Sequence, residues 1–206
     1  MSKKKLHIIG GGGQAKVVLA AARASGWEIG GIWDRDSQKE GKKIAGISIQ
    51  NESDLPGNDI ENALVALGKN TPRYQLVQKF SGLNWVTVIH PYCWVHESVI
   101  IGKGSVICAG AVVQPGTVIG NHVIVNTSAT VDHDTVIGDF THLAPGVHVA
   151  GYCTIEEGCF IGVGSSVIDH IKIGNWSTVG AGAAVVDDLP DSCLAVGVPA
   201  KVIRAE

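Results

Sequence analysis

The sequence of 206 residues predicts an α/β unit at residues 1–90, followed by an all-β parallel coil at residues 91–206. Three observations support this prediction. Aliphatic residues recur every six positions from residue 95 onward, and strands alternate with helices before residue 90. The charge balance also changes: residues 1–90 hold 12 Lys and Arg against 8 acidic residues, and residues 91–189 hold 2 against 9. This change near residue 90 indicates a domain boundary.

Composition excludes several classes of protein. Hydrophobic residues make up 45% of the chain, but aromatic residues make up only 5% and charged residues 17%, which excludes a disordered chain, a coiled coil and a compact helical bundle. There is no basic stripe with interleaved aromatic residues, so we expect no nucleic-acid partner. No apolar run has the length of a membrane span and no signal peptide is recognisable, so we expect a cytoplasmic protein without a membrane span.

Residues 1–90 read as a small Rossmann-like unit. We predict strands at residues 6–9, 29–33, 63–67 and 85–89, and helices at residues 14–24 and 71–80. The pattern Gly10-x-Gly12-x-x-Ala15 lies between the first strand and the first helix, where a phosphate-binding loop is expected. Asp34 ends the second strand, a position from which an acid often binds a ribose hydroxyl. The unit is short for a dinucleotide fold, so we expect a mononucleotide or a nucleotide sugar, or else a tight turn without a ligand.

The second half repeats every six residues. Val, Ile or Leu occupies all sixteen positions taken in steps of six from Val95 to Val185, and a mostly small residue lies two positions before each. This pattern predicts a triangular parallel β-helix with three hexads to each coil of 18 residues. Gly or Asn often follows the aliphatic residue, and we expect it to take the positive φ of the corners. A single coil exposes strand edges and apolar faces, so we expect a homotrimer.

His133 is the strongest candidate for chemistry among the eight histidines. It lies two positions after Val131, at a predicted corner, and Asp134 is beside it. Gly151 follows one coil later and should lie next to His133, where the missing side chain would leave room for a ligand and expose a backbone N–H. His142 falls on an adjacent face of the coil. From the residues alone, His133 could equally be an ordinary solvated turn residue.

A metal site is the main alternative chemistry for such a coil. The γ-class carbonic anhydrases resemble it and bind zinc through histidines, two of them five residues apart, but no two histidines here have that spacing, so we expect no metal. None of the five cysteines forms a CxxC pair. Cys93, Cys153 and Cys159 occupy the small inward position and are predicted to pack there, whereas Cys108 in a turn has no predicted role.

Five segments together resemble a known family. They are Ile8-Ile9-Gly10-Gly11-Gly12-Gly13-Gln14-Ala15-Lys16, Asn126-Thr127-Ser128, Asp132-His133-Asp134, Thr141-His142-Leu143-Ala144-Pro145-Gly146 and Gly197-Val198-Pro199-Ala200-Lys201. Over nearly its whole length the chain resembles the bacterial nucleotide-sugar N-acetyltransferases of the PglD/NeuD type. These are hexapeptide-repeat acyltransferases with a left-handed β-helix.

The resemblance implies an enzyme of glycan biosynthesis that uses acetyl-CoA to acetylate the 4-amino group of a nucleotide-linked 4-amino-4,6-dideoxy sugar, without a metal. His133 matches the general base, and Asp134 matches the acid that assists it, where the family often has Glu. The resemblance implies four acetyl-CoA contacts, namely His142, Gly151, Val163 and Ala181. It also implies six nucleotide-sugar contacts, namely Gly12, Gly13, Gln14, Asp34, Arg35 and Gly68. Gln14 stands where His is common, and Arg35 replaces an acid.

Two other functions remain open at this point. An O-acetyltransferase acting on sialic acid or another sugar hydroxyl would share the coil and the base. A non-catalytic scaffold would bind a nucleotide sugar but release no CoA with any acceptor.

Overall fold

The computed structural model describes residues 4–55 and 60–205 and contains an α/β part followed by a coil of parallel strands. The helices of the α/β part are α1 (Gly13–Ala24) and α2 (Asn70–Lys79), with short 3₁₀ turns at Ser37–Lys39 and Glu52–Asp54. Its strands are β1 (Lys5–Ile9), β2 (Glu28–Asp34), β3 (Lys43–Ile44), β4 (Ile47–Asn51) and β5 (Ala63–Val65). No helix within these residues is long and apolar enough to cross a bilayer.

The sheet of the α/β part has the strand order β3-β4-β2-β1-β5. All neighbours are parallel except β3, which runs antiparallel to β4. Strand β1 lies between β2 and β5 and is buried on both faces: Leu6 and Ile8 pack with Val18 of α1, whereas Ile9 packs with Val77 of α2. The Rossmann-like prediction is therefore confirmed, with two strands, β3 and β4, that the sequence pattern did not predict.

The chain leaves the sheet earlier than predicted. The predicted strand at residues 85–89 is instead a single bridge between Trp85 and Ala63 and a two-residue strand, Val88–Ile89. That strand pairs with Val106–Ile107 of the coil and not with the sheet. The side chain of Thr87 donates to the carbonyl oxygen of Gly102 at 2.7 Å, which helps hold this entry segment against the first coil.

The coil consists of short strands, each paired with the strand one coil away. They are β6 (Val88–Ile89), β7 (Trp94–Val95), β8 (Ile100–Ile101), β9 (Val106–Ile107), β10 (Val112–Val113), β11 (Val118–Ile119), β12 (Ile124–Val125), β13 (Thr130–Val131), β14 (Val136–Ile137), β15 (His142–Leu143), β16 (His148–Val149), β17 (Thr154–Ile155), β18 (Phe160–Ile161), β19 (Ser166–Val167), β20 (Lys172–Ile173), β21 (Thr178–Val179), β22 (Ala184–Val185), β23 (Cys193–Val196) and β24 (Lys201–Ala205). Val112, for example, pairs with Thr130, 18 residues later. The predicted coil of three hexads is confirmed.

Three sheets form the sides of the coil. Sheet I has the order β22-β19-β16-β13-β10-β7, sheet II has β20-β17-β14-β11-β8, and sheet III has β24-β23-β21-β18-β15-β12-β9-β6. The chain passes from sheet I to II to III and back to I, so each coil has three corners, which we call I–II, II–III and III–I. Strand β24 runs antiparallel to β23 at the end of sheet III.

The interior matches the predicted pattern. The aliphatic residues of the repeat fill the core, and the small residues beside them are also buried. Their hydroxyl groups link consecutive coils: Thr141 Oγ1 donates to the carbonyl oxygen of Glu156 at 2.8 Å and accepts from the amide of Cys159 at 3.1 Å. The Sγ of Cys159 donates in the same way to the carbonyl oxygen of Gly174 at 3.0 Å. The predicted packing role of Cys153 and Cys159 is therefore confirmed, since both are buried.

The corners differ from the prediction. Positive φ falls on the third residue after each aliphatic residue and not on the first, as Asp134 (56°), Tyr152 (57°) and His170 (60°) illustrate. The expectation for the Gly residues that follow the aliphatic residues is therefore wrong. Those glycines are needed for close approach: a Cβ on Gly102 would lie 2.5 Å from the carbonyl carbon of Gly120 in the next coil.

Candidate active site

A cavity of about 530 Å³ opens at the carboxyl ends of β1, β2 and β5. In open parallel sheets this edge is the usual ligand site, at the point where strand order reverses. Here the reversal lies between β1 and β5, because β2 and β5 flank β1 on opposite sides. The cavity is lined by Gly10, Asp34, Arg35, Asp36, Lys39, Glu52, Leu67, Pro72, Gln75, Leu76 and Lys79.

Asp34 closes the Gly-rich loop at this cavity. Its Oδ2 accepts hydrogen bonds from the amide of Gly11 at 2.6 Å and from Lys39 Nζ at 2.9 Å, and its Oδ1 accepts from the amide of Asp36 at 2.8 Å. Burial alone would raise the pKa of Asp34, but these hydrogen bonds outweigh it and lower the pKa below its ordinary value. Asp34 is therefore an ionised residue that shapes the loop, and Arg35 beside it is exposed at the cavity.

Gln14 and Gly68 do not line this cavity; they lie next to His142 of the coil. Helix α1 begins after Gly12 without a side-chain cap, which leaves its first amide groups available to an anion. Gly13 is exposed in its first turn. Gln14 Nε2 is buried and has no hydrogen-bond partner among the described residues. A Cβ on Gly68 would lie 3.9 Å from Gln14 Oε1 and 3.8 Å from His142 Cε1, so these three residues are neighbours.

His142 connects the α/β part to the coil as a neutral imidazole. Its Nδ1 donates to the carbonyl oxygen of Gly68 at 2.9 Å, since a carbonyl can only accept. Asn126 Oδ1 accepts from the amide of Thr127 at 2.8 Å, so its Nδ2 faces His142 Nε2 at 3.0 Å and donates to it. Burial, together with the charge of nearby Arg73, lowers the pKa of His142 to about 4, although the hydrogen bond to Gly68 acts to raise it. Both ring nitrogens are occupied, so His142 cannot take up a proton from a substrate in this arrangement.

Arg73 of α2 fastens the two parts together. Its guanidinium is almost fully buried and donates to carbonyl oxygens on both sides of the junction, including Leu67 at 3.0 Å and His122 at 3.0 Å. It also donates to the carbonyl oxygens of Gly68 and Phe140. Burial lowers the pKa of Arg73 to about 9, so it stays charged at neutral pH.

His133 lies at corner I–II, with Asp134 beside it as the sequence predicts. His133 Nδ1 is 2.9 Å from Asp134 Oδ2, so this nitrogen carries the proton and Nε2 is left as an acceptor. The imidazole lies over Gly151, where an added Cβ would be 2.7 Å from His133 Cε1. The expectation that Gly151 leaves room for a ligand is therefore wrong, because the ring of His133 fills that space and buries Gly151.

Val163 and Ala181 occupy corner III–I in consecutive coils. Both are exposed, and the coils approach so closely there that a Cβ on Gly162 would lie 2.6 Å from the amide nitrogen of Ala181. This corner therefore presents a flat strip of small side chains and backbone along the coil axis.

Within one subunit the predicted site residues fall into separate places. His142, Gln14 and Gly68 meet where sheet III faces the α/β part. His133, Asp134 and Gly151 lie at corner I–II, which in a triangular cross-section is the corner opposite sheet III. One chain alone does not bring the two groups together.

Two further features concern the Cys108 thiol and the groups of side chains that could bind a metal ion. Burial raises the pKa of Cys108 to about 12, so its thiol is not a nucleophile at neutral pH. Among the described residues no group of three or more His, Cys, Asp or Glu side chains could hold a metal ion.

Sequence reasoning missed Arg73 and assigned no role to Asn126. A lone Arg in an otherwise ordinary helix carries no signal of a buried junction. Asn126 directly follows the aliphatic residue Val125, and it lies 16 residues before His142, nearly one coil. That spacing could have predicted the contact.

Comparisons with known proteins agree with this geometry. Residues 5–80 match the family described as the PglD N-terminal domain. The acetyltransferase domain of PglB from Neisseria gonorrhoeae is 38% identical, with 98% of this chain and 100% of that chain covered and a TM-score of 0.90. PerB from Caulobacter crescentus, solved with CoA and GDP-perosamine, is 39% identical over 97% of both chains with a TM-score of 0.91.

A viral relative shows a more limited match. An uncharacterised protein of Acanthamoeba polyphaga mimivirus is 33% identical over 105 residues, which are 50% of this chain and 21% of that protein. The chain thus spans only about a fifth of the length of this relative.

A Rossmann-like unit joined to a hexapeptide-repeat β-helix, with a His–Asp pair at a corner, defines a class of acyltransferases. The sequence identity to PglB and PerB over almost the whole chain identifies the family within this class. The chain belongs to the nucleotide-sugar N-acetyltransferases of the PglD/NeuD type, whose coil is a left-handed β-helix.

Proposed function

We propose that this protein is an acetyl-CoA-dependent N-acetyltransferase acting on the 4-amino group of a nucleotide-linked 4-amino-4,6-dideoxy sugar. The observation that carries the proposal is the His133–Asp134 pair, which leaves one imidazole nitrogen free as a base at the exposed corner I–II. The likeness to PerB, solved with CoA and GDP-perosamine, supports both substrates.

His133 acts as the general base in direct transfer. The sugar ammonium first loses one proton to solvent, and the amine nitrogen then attacks the thioester carbonyl carbon while His133 Nε2 takes its second proton. The tetrahedral intermediate collapses, the C–S bond breaks, and the proton passes from His133 to the CoA thiolate. The carboxylate of Asp134 holds the Nδ1 proton in place and stabilises the imidazolium that forms.

Acetyl-CoA lies along corner III–I and reaches the base of a neighbouring subunit in the proposed trimer. The exposed strip with Val163 and Ala181 suits an extended pantetheine chain. The Gly151 amide makes no hydrogen bond within the described residues, but the ring of His133 covers Gly151, so this amide donates to the thioester oxygen only if that ring shifts. His142, neutral and fixed by Asn126, lies on sheet III and meets the base and Gly151 of a neighbouring subunit in the proposed trimer.

The nucleotide sugar binds in the cavity of the α/β part. The uncapped start of α1 at Gly12 and Gly13 suits the phosphates, and Gln14 Nε2 offers an unused donor. Arg35 and Lys39 supply positive charge, and Gly68 follows the lining residue Leu67 and contacts His142 of the coil. Residues 1–90 thus bind the nucleotide sugar, and residues 91–206 carry out the acetyl transfer.

The working unit is a homotrimer, because the base and the nucleotide cavity lie on opposite sides of one coil. Sheet II carries exposed apolar residues suited to contact with another subunit, namely Ile100, Val118 and Val136. We place the enzyme in the cytoplasm, where acetyl-CoA and nucleotide sugars are made, in glycan biosynthesis.

The test is a thiol-release assay with acetyl-CoA and paired acceptors. We expect CoA release with a 4-amino-4,6-dideoxy sugar linked to a nucleoside diphosphate and none with the matching 4-hydroxy sugar. CoA release with sialic acid or the 4-hydroxy sugar alone would favour an O-acetyltransferase. Nucleotide-sugar binding without CoA release from any acceptor would favour a scaffold.

A further inference from the structure

Corner I–II places side chains at a positive-φ backbone position that corner III–I mostly gives to glycine. A residue with a Cβ at positive φ costs about 1 kcal/mol relative to Gly. At corner II–III the non-Gly residues His122, Phe140 and Trp176 have their rings against Trp85 and Tyr74 of the α/β part, which accounts for them. At corner I–II the same position holds Tyr152 (φ 57°), which contacts nothing in the α/β part and is 52% exposed.

Tyr152 instead contacts the base. Its ring meets the imidazole of His133 edge to face, with centroids 5.0 Å apart and planes at 85°. On its other side Tyr152 stacks on His170 at 4.9 Å and 9°. The Tyr152 amide also donates to the carbonyl oxygen of His133 at 3.1 Å, so backbone and ring are both tied to that residue.

The imidazole of His133 is therefore held on three sides. Gly151 lies beneath the ring, Asp134 accepts from Nδ1, and Tyr152 closes one edge. Since the side chain of His133 is 49% exposed, removal of the aromatic wall would let the ring turn about its last torsion and away from the substrate.

We infer that Tyr152 is a positioning residue for the general base, kept at a strained corner because its ring fixes the direction of His133 Nε2. This inference rests on the proposed function of His133. It explains why a bulky aromatic residue occupies a position where glycine would be more stable.

The experiment compares four variants by steady-state kinetics. Tyr152→Gly relieves the backbone strain and removes the ring, so we expect an unfolding free energy no lower than that of the wild type and a kcat about tenfold lower with both KM values unchanged. Tyr152→Phe keeps the ring and should restore most of kcat. His170→Gly is the matched control, since it relieves the same strain but its ring does not contact His133, and its kcat should stay within about twofold of wild type.

A double-mutant cycle separates this inference from the proposed function. His133→Ala alone tests the base, and Tyr152→Gly should cause no further loss of kcat in that background. If His133→Ala is inactive while Tyr152→Gly keeps full kcat, the positioning role is overturned and the base assignment stands. If Tyr152→Gly lowers kcat equally with and without His133, the ring acts through something other than the base. If His133→Ala keeps full activity, the proposed function itself fails.

Discussion

The Nε of Arg73 donates a 3.0 Å hydrogen bond to the carbonyl oxygen of His122, so a charged side chain from helix α2 ends inside a corner of the coil. The same guanidinium donates to Leu67 at the edge of the nucleotide cavity. The α/β part and the coil are thus joined by a buried cation whose hydrogen-bond acceptors among the described residues are neutral.

Replacing Arg73 by Met should destabilise the protein strongly. The change leaves the buried carbonyl oxygens of Leu67, His122 and Phe140 without this donor, and the expected loss in the free energy of unfolding is about 3 kcal/mol. Urea denaturation measures it. Arg23→Met is the control, because Arg23 makes one exposed hydrogen bond to Ala45, and its change should stay within about 0.5 kcal/mol. Equal losses of unfolding free energy for both variants would contradict the role of Arg73 in joining the two parts.

Stability should fall in mild acid because two buried histidines resist protonation. Burial lowers the pKa values of His122 and His142 from 6.5 to about 4. Between these pH values the unfolded chain binds more protons than the folded chain. The free energy of unfolding is therefore highest, as far as these two histidines contribute to it, above pH 6.5, and it decreases toward pH 4. His142 alone should contribute a decrease of about 3 kcal/mol.

The pH dependence can be assigned by substitution. His122→Phe keeps an aromatic ring against Phe140 and removes one titrating group, so denaturation midpoints measured between pH 7.5 and 4.5 should decline less steeply. His170→Asn changes an exposed imidazole and should leave the slope as it is. An unchanged slope for His122→Phe would show that His122 does not contribute.

Gly151→Ala should disable the base without unfolding the coil. The added Cβ would lie 2.7 Å from His133 Cε1, so the imidazole must move, and we expect kcat to fall about 100-fold. Circular dichroism checks that the coil persists. Gly82→Ala, where an added Cβ meets nothing within 4 Å, should leave kcat unaffected. Wild-type kcat in Gly151→Ala would mean that the observed ring position is not the working one.

Asn126→Asp should change the protonation of His142. An amide that donates to Nε2 favours the neutral ring, whereas a carboxylate at the same place favours the cation, so the pKa of His142 should rise. Nuclear magnetic resonance of the imidazole carbons across a pH series measures this shift. Asn121→Asp, at another corner and bonded to Asp139, should leave the His142 signal in place.

The coil was predictable because its period is written in consecutive residues. Every sixth position is aliphatic, each 18-residue step brings residues into register, and the same step predicted that Gly151 lies beside His133. The corners were not predictable by composition, because glycine serves two purposes there. At Gly102 it permits close approach between coils, whereas at Gly104 it permits a φ of 70°.

The junction between the two parts was beyond the reach of the sequence. Arg73 meets acceptors 49 and 67 residues away, and all of them are backbone carbonyl oxygens, which any residue type supplies. The hydrogen bond from His142 to the carbonyl oxygen of Gly68 also joins residues 74 positions apart, and its acceptor is again a backbone group. Local sequence patterns predict helices and strands, but a backbone carbonyl oxygen can accept a hydrogen bond whatever its residue type, so such distant contacts cannot be predicted from the sequence.

The entry strand Val88–Ile89 pairs with Val106–Ile107 and so fixes the point on the coil axis at which the α/β part is attached. The α/β part is joined to that strand and contacts the coil again where Gly68 meets His142, three coils further along sheet III. A whole coil inserted before His142 would shift the two contact points by about 4.8 Å and pull them apart. Among the described residues, the hydrogen bonds and ring contacts between the two parts extend along the coil as far as Trp176, so a coil added after this residue would leave the junction in place.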